Sequence, residues 1–397
     1  MIFALKCGSL EKTQDARRKT QDARRKTQDA RRKTQDANKI RVYFFHDFVN
    51  DIASLKNYWR YLDEDIISNL EWDDEDPEFV FATSRVYLNQ ELFNKFKELY
   101  LKDKSRIYIL FGDEALEADL NIYDYALTFN GDLRDRDRIC RIPPALFFNF
   151  HDENNFTHQD ALNKIKNNNL KFCNFIYSNP NAHELRDKLF YKLSEYKRVD
   201  SLGPHLNNVN TKGSRNQGNW QQISIELKSN YKFSIAAENA CFNGYTSEKL
   251  MTSLKAHTVP IYFGNPNIAK DFNPEAFINV NDYENLDALL AKIKEIDDDD
   301  ELWAKIVSTP WRTEEHIKYY EQQVLNYKNF IKNIFDVNVP LADKKRLPVG
   351  TWASWYADWY FDNMPVQKQG LDLKLRQAAR KILKFLGLLN YYDKKFK

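Results

Sequence analysis

Within residues 231–263 the sequence passes from a β-rich run to a helical pattern and back to a β-rich run, and few folds accommodate that succession. YKFSIAA from Tyr231 reads as a strand, residues 238–245 as a loop, residues 247–256 as a helix and VPIYF from Val259 as a second strand. A strand, crossover helix and strand in so short a span make a βαβ unit.

The same alternation occurs upstream. Residues 41–45, 78–82, 106–111 and 125–129 read as strands, and residues 90–101 place Leu92, Phe93, Phe96 and Leu99 at helical spacing. Residues 172–178 add a strand. A helix follows over residues 182–196, with Asn181 and Glu184 at capping-box spacing and Leu185, Leu189 and Leu193 as its buried stripe, which leaves Arg186 one residue off it. Alternation of this kind predicts an α/β class with mostly parallel sheets. A chain of 397 residues suits two domains. The polar, Asn-rich stretch 151–169 marks their boundary, giving domains at 39–155 and 156–337, between an arm at 1–38 and a tail at 338–397.

The arm repeats KTQDARR from Lys12, Lys19 and Lys26 and restarts at Lys33. Asp15 precedes Arg18 and Lys19 by three and four positions, which supports an exposed helix. The only a/d candidates are Thr13, Ala16, Thr20, Ala23 and their repeats, too small a seam for a strong coiled coil. A solvated helical arm is expected, with oligomerisation or anion binding as the alternative. In the tail, Trp352, Trp355, Tyr356, Trp359 and Tyr360 form an aromatic helical face, expected to pack against the body. Residues 371–389 then combine an apolar stripe of Leu371, Leu375, Ala378, Ile382, Leu386 and Leu389 with Lys374, Arg380, Lys381 and Lys384. A basic amphipathic helix of this kind suits an anionic membrane surface. Cys7, Cys140, Cys173 and Cys241 show neither CxxC nor metal spacing, and no window approaches membrane-spanning length. A soluble or peripheral protein in a reducing cytoplasm is expected.

In an open parallel sheet, ligands collect beyond the carboxyl ends of the strands. Residues 238–249 occupy such a position. Thr246 or Ser247 can cap the following helix, whose N-terminus favours an anion, and Lys249 adds a full charge there while Arg186 converges from a neighbouring helix end. Two cations on one diphosphate would stabilise a departing nucleotide without a metal, each contact worth on the order of 1.5–3 kcal/mol.

The run YKFSIAAENACFNGYTSEKLMTSLKAHTVPIYFG resembles the signature segment of the α-1,3-fucosyltransferases, glycosyltransferase family 10, above all the bacterial branch. The matching positions are Glu238, Asn239, Gly244, Tyr245, Glu248, Lys249, Thr258, Pro260, Ile261, Tyr262 and Gly264, with looser likeness in SNPNAHELR, IYDYALTF and DLRDRDRICRIPP. The resemblance implies a GT-B architecture, two Rossmann-like domains facing a cleft, and an inverting enzyme. It would move L-fucose from GDP-fucose to O3 of N-acetylglucosamine or glucose in lactosamine-type glycans of the Lewis kind. It further implies that Lys249 and Arg186 hold the diphosphate, that Glu248 takes sugar hydroxyls, that Tyr245 and Asn239 line the guanosine or fucose pocket, and that Glu238 orients the loop. Basic tails in the bacterial branch imply a peripheral position on the cytoplasmic face of the inner membrane.

Inversion needs a carboxylate to take the acceptor proton. Family members place a glutamate directly after a glycine at a strand end; here IYILFG is followed by Asp113 and Glu114. Position favours Asp113, residue type favours Glu114, and the reading leans to Asp113. Acid-x-acid runs such as Asp63-Glu64-Asp65 and Asp135-Arg136-Asp137 lie in charged, solvated stretches, so neither metal nor cofactor is expected. His46 and His257 read as turn or core residues. Two alternatives remain: a GT-B transferase with another nucleotide sugar, and a non-enzymatic scaffold using its basic repeats. No base-reading motif accompanies those repeats, so nucleic acid is not an expected partner.

Overall fold

A computed structural model describes residues 39–59, 62–132, 137–150, 155–209, 219–347 and 351–364. The expected repeat helix, the amphipathic helix at 371–389 and part of the 135–137 acidic run lie outside the described residues. Contacts divide the chain into two compact units, Met1–Tyr108 with Lys332–Lys397, and Ile109–Ile331.

In the first unit, β1 (Ile40–Phe45), β2 (Leu70–Trp72) and β3 (Phe79–Ala82) lie in the order β2-β1-β3, all parallel. Phe44 stacks on Phe81 with centroids 5.2 Å apart, while Phe45 meets Phe96 of helix Gln90–Lys102. Asn89 caps that helix by accepting from the Glu91 and Leu92 amides. Helix Thr351–Asn363 corrects the expected aromatic face. It buries Ala357, Tyr360 and Phe361, the last against Phe93 and Phe96, and leaves Trp352, Trp355 and Trp359 exposed.

In the second unit, the end of β4 (Ile107–Phe111) pairs with β5 (Tyr125–Thr128), and β5 with β6 (Ile139–Arg141), again parallel. The second sheet contains β7 (Lys171–Phe175), β8 (Val199–Ser201), β9 (Tyr231–Ala237), β10 (Val259–Phe263) and β11 (Ile278–Asn279), in the order β11-β10-β9-β7-β8. All its pairings are parallel. Both faces of β9 are covered: Phe233, Ile235 and Ala237 join a core with Leu189, Ile293 and Trp303, whereas Ala236 joins Leu250, Met251 and Trp311. Burial on both sides is why these strands read as apolar runs rather than strict alternations. The chain leaves β7 for β8 on one side and returns for β9 on the other. The gap beyond the ends of β7 and β9 is therefore a topological switch point, where such sheets bind ligands.

The helix after β7 differs from expectation. It spans Leu185–Ser194 without a side-chain cap, and the Asn181 amide donates to Asn179 Oδ1, so Asn181 is not its capping residue. Arg186 is 1 % exposed, as buried as Leu193 and more so than Leu185. No helix among the described residues is long and apolar enough to cross a membrane.

Candidate active site

Glu238 follows β9 directly and is fully buried. Its amide donates to the Phe263 carbonyl at 2.7 Å, which continues the β9–β10 ladder one step past the strands. Gly264 gives it room, because a Cβ there would stand 2.4 Å from Glu238 Cγ. The carboxylate then accepts from three donors: the Ser247 amide at 2.7 Å, Ser247 Oγ at 2.6 Å and Lys249 Nζ at 3.1 Å. Ser247 in turn caps helix Glu248–Lys255 and takes a second bond from Lys249 Nζ at 2.8 Å. One buried carboxylate thus fixes the helix entry and the lysine expected to meet phosphate.

Burial pushes the Glu238 carboxyl above its ordinary value, an effect that Lys249 opposes. For Lys249, burial works against the charge, and Glu238 together with Glu248 more than offsets it, so the ammonium is held above the usual lysine range. Glu248 lies 3.8 Å from Lys249 Nζ. Lys249 is therefore a cation between two carboxylates, a partnership the sequence reading did not anticipate.

The Arg186 guanidinium lies over the Tyr177 ring, 4.5 Å from its centroid. One nitrogen donates to Asn239 Oδ1 at 3.1 Å and another to the Asn179 carbonyl. Among the described residues Nε has no hydrogen-bond partner, with an Asp187 oxygen 4.0 Å away. Burial lowers the Arg186 pKa from its very high ordinary value. Tyr177 braces the same corner by donating to the Ile235 carbonyl and accepting from the Ala237 amide. Asn239 and Arg186, nominated separately from sequence, are thus directly bonded.

The loop 239–246 closes against the ends of β4 and β5. Gly244 has φ +76°, and a Cβ on it would lie 2.0 Å from the Phe129 carbonyl oxygen, so only glycine permits the approach. Its amide donates to Asn265 Oδ1. Asn243 reaches Asn130 at 3.0 Å and Asp132 at 2.6 Å, and Lys270 pairs with Asp132 from the other side. Tyr245, 2 % exposed, packs edge-on against Phe129 and donates from its hydroxyl to Glu114 Oε2 at 2.6 Å. Burial, then Glu238 and Glu114, hold the phenol well above its ordinary pKa, so it remains a donor. Glu114 is thereby joined to the signature loop; Asp113, its half-buried neighbour, makes contacts of its own.

Several contributors carried no local signal. Tyr177, Asn179, Phe129, Asn130 and Asn265 enter only because strand ends converge. Asp63, Glu64 and Asp65 are exposed, as a solvated stretch should be, with Asp63 at the N-cap and the other two in the first turn of the short helix Glu64–Asn69. His257 occupies a turn at φ +49° and stacks on Phe156; His46 is buried against Tyr58. Among the described residues no group of three His, Cys, Asp or Glu could hold a metal.

Residues 166–337 match the model described as Glycosyltransferase family 10 (fucosyltransferase) C-term, a stretch that contains Arg186, Glu238, Asn239, Tyr245, Glu248 and Lys249. This segment is a glycosyltransferase family 10 domain. Among curated relatives, a putative fucosyltransferase of Acanthamoeba polyphaga mimivirus is 39 % identical over 144 residues, covering 35 % of this chain and 24 % of its own length. The α-(1,3)-fucosyltransferase FucT of Helicobacter pylori is 29 % identical over 218 residues, 47 % of this chain and 43 % of that protein. The chain thus spans less than half the length of these two relatives. In fold, it is similar to a crystal structure of α1,3-fucosyltransferase with GDP-fucose, at TM-score 0.54 and 22 % identity, covering 75 % of this chain and 90 % of that one. The parallel α/β architecture is accordingly that of the GT-B α1,3-fucosyltransferase structures.

Proposed function

We propose that this family 10 chain transfers L-fucose from GDP-fucose to O3 of N-acetylglucosamine or glucose in a lactosamine- or lactose-type glycan, inverting the anomeric centre. The observation that carries this reading is the hydrogen bond from Tyr245 of the donor loop to Glu114 beside β4. It brings a carboxylate within one side chain of the loop that this reading gives to donor binding.

In this reading Lys249 and Arg186 face the diphosphate, with the helix N-terminus adding its dipole. Glu238 orients Lys249 and Ser247, Asn239 orients Arg186, and Glu248 accepts from sugar hydroxyls. As the acceptor oxygen forms its bond to fucose C1, the C1–O bond to the diphosphate breaks and GDP leaves with the electron pair. Glu114 takes the acceptor proton. Lys249 and Arg186 stabilise the charge that accumulates on the leaving phosphate. We assign the base to Glu114 rather than Asp113 on the strength of the Tyr245 contact.

A donor panel tests the reading: lactose or N-acetyllactosamine with GDP-fucose, GDP-mannose or UDP-galactose, followed by linkage analysis of any product. Product from GDP-fucose alone, linked α-1,3, is expected. Turnover only with another donor would overturn it. We also propose that the basic tail holds the protein peripherally on a cytoplasmic membrane face; the full chain should co-sediment with anionic vesicles and not with zwitterionic ones.

A further inference from the structure

Against helix Glu248–Lys255 lies a cation that the mechanism above does not use. Lys228 ends helix Trp220–Lys228 and is 4 % exposed. Its Nζ donates to Thr252 Oγ1 at 2.7 Å, Ser253 Oγ at 3.0 Å and the Lys249 carbonyl at 3.2 Å. Three acceptors match the three donors of an ammonium. None is charged, and no carboxylate is ion-paired with Lys228 among the described residues. The charged groups that act on it are Glu248 and Lys249 on the facing helix and Glu238 at the end of β9.

A buried cation among neutral acceptors costs stability. Its hydrogen-bond acceptors do not depend on it, since the Ser253 and Thr252 hydroxyls can each donate to the Lys249 carbonyl, at 2.8 and 3.3 Å. Ser253 also reaches Ser234, which bonds Asn174 on β7. Packing alone therefore gives no reason for an ammonium here. Its position does, because the carbonyl it grips belongs to Lys249, the residue facing the diphosphate.

We propose that Lys228 is a positioning residue of the donor site, which holds the first turn of helix Glu248–Lys255 and couples diphosphate binding to uptake of a proton. The inference rests on the donor-site reading above. Burial brings the Lys228 pKa down to about 7, so near neutrality the side chain is only partly charged. A diphosphate bound at the helix N-terminus favours the charged form, and Lys228 then takes up a proton as the ligand binds. Glu238 and Glu248 already support that charge and Lys249 opposes it, so the phosphate completes a balance among groups already present.

GDP is the probe. Calorimetric titration of the full chain in buffers of different ionisation enthalpy, between pH 7 and 8.5, should show net proton uptake on binding. GDP affinity should fall with rising pH across that window, by up to about tenfold. Lys228→Met should weaken GDP binding at pH 7, abolish the uptake, and leave the melting temperature unchanged or raised; a merely structural lysine would lower it. Wild-type binding without proton uptake, or a folded Lys228→Met protein with unaltered GDP affinity and pH profile, overturns the proposal while leaving the donor site intact. A wild-type chain that binds no GDP refutes the donor-site reading itself, and this inference with it.

Discussion

Tyr245 Oη and Glu114 Oε2 stand 2.6 Å apart, a hydrogen bond between loop 239–246 and the turn after β4, 131 residues apart in the chain. Tyr245→Phe removes only that bond, since the ring stays packed on Phe129. Stability should fall by about 1 kcal/mol, whereas kcat for fucosyl transfer should fall further than the apparent affinity for GDP-fucose. A loss of affinity with kcat unchanged would place Tyr245 in donor binding alone.

Glu114→Gln should lower kcat by about 10²–10⁴-fold, the range for loss of a general base. Asp113→Asn should stay within about tenfold of wild type. Released GDP, measured at saturating donor and acceptor, separates the two; the reverse ranking would return the base to Asp113.

Lys249→Ala removes a charge-assisted contact to phosphate and should weaken GDP binding by roughly 10–150-fold. It also strips the buried Glu238 of its cation. Glu238 then loses its strongest opposition to neutralisation, so the variant should be less stable at pH 8 than at pH 5, as seen by thermal melting at both. A variant equally stable at both would contradict the buried-pair account.

Gly244→Ala combines a left-handed backbone with a Cβ 2.0 Å from the Phe129 oxygen. A loss of at least 1–3 kcal/mol is expected, with transfer reduced because loop 239–246 must shift. Denaturant unfolding and turnover together measure it; a fully stable, active variant would mean that the loop does not dock as described.

His257 has its pKa lowered to about 4, first by burial and then by Lys164. The unfolded chain, near 6.5, binds the proton more readily, so stability is full above that value and is lost as pH falls toward 4. His257→Asn tolerates the same left-handed turn and should remove roughly 1–2 kcal/mol of that acid sensitivity, allowing for solvent screening. Melting curves at pH 4.5 and 7 compare the two proteins.

The βαβ unit was legible because its signals are local. Residues 231–237 and 259–263 coincide with β9 and β10, and the helix placed at 247–256 is Glu248–Lys255 with Ser247 as its cap. Short strands escaped: β2, β6, β8 and β11 have two or three residues each, too few to show a period. Arg186 was read as lying off the buried stripe because helical spacing cannot register a guanidinium covered by Tyr177, which belongs to another segment.

The residue types of the proposed donor site were thus written in the sequence, since a strand end, a cap and a cation in the first turn lie within twelve consecutive positions, 238–249. Their partners were not. The Glu238–Lys249 pair, the Arg186–Asn239 bond, the Tyr245–Glu114 bond and the neutral surroundings of Lys228 each depend on which side chains converge when parallel strands bring distant turns to one end of a sheet. Burial there sets both hydrogen-bond partners and proton affinities, and neither follows from spacing along the chain.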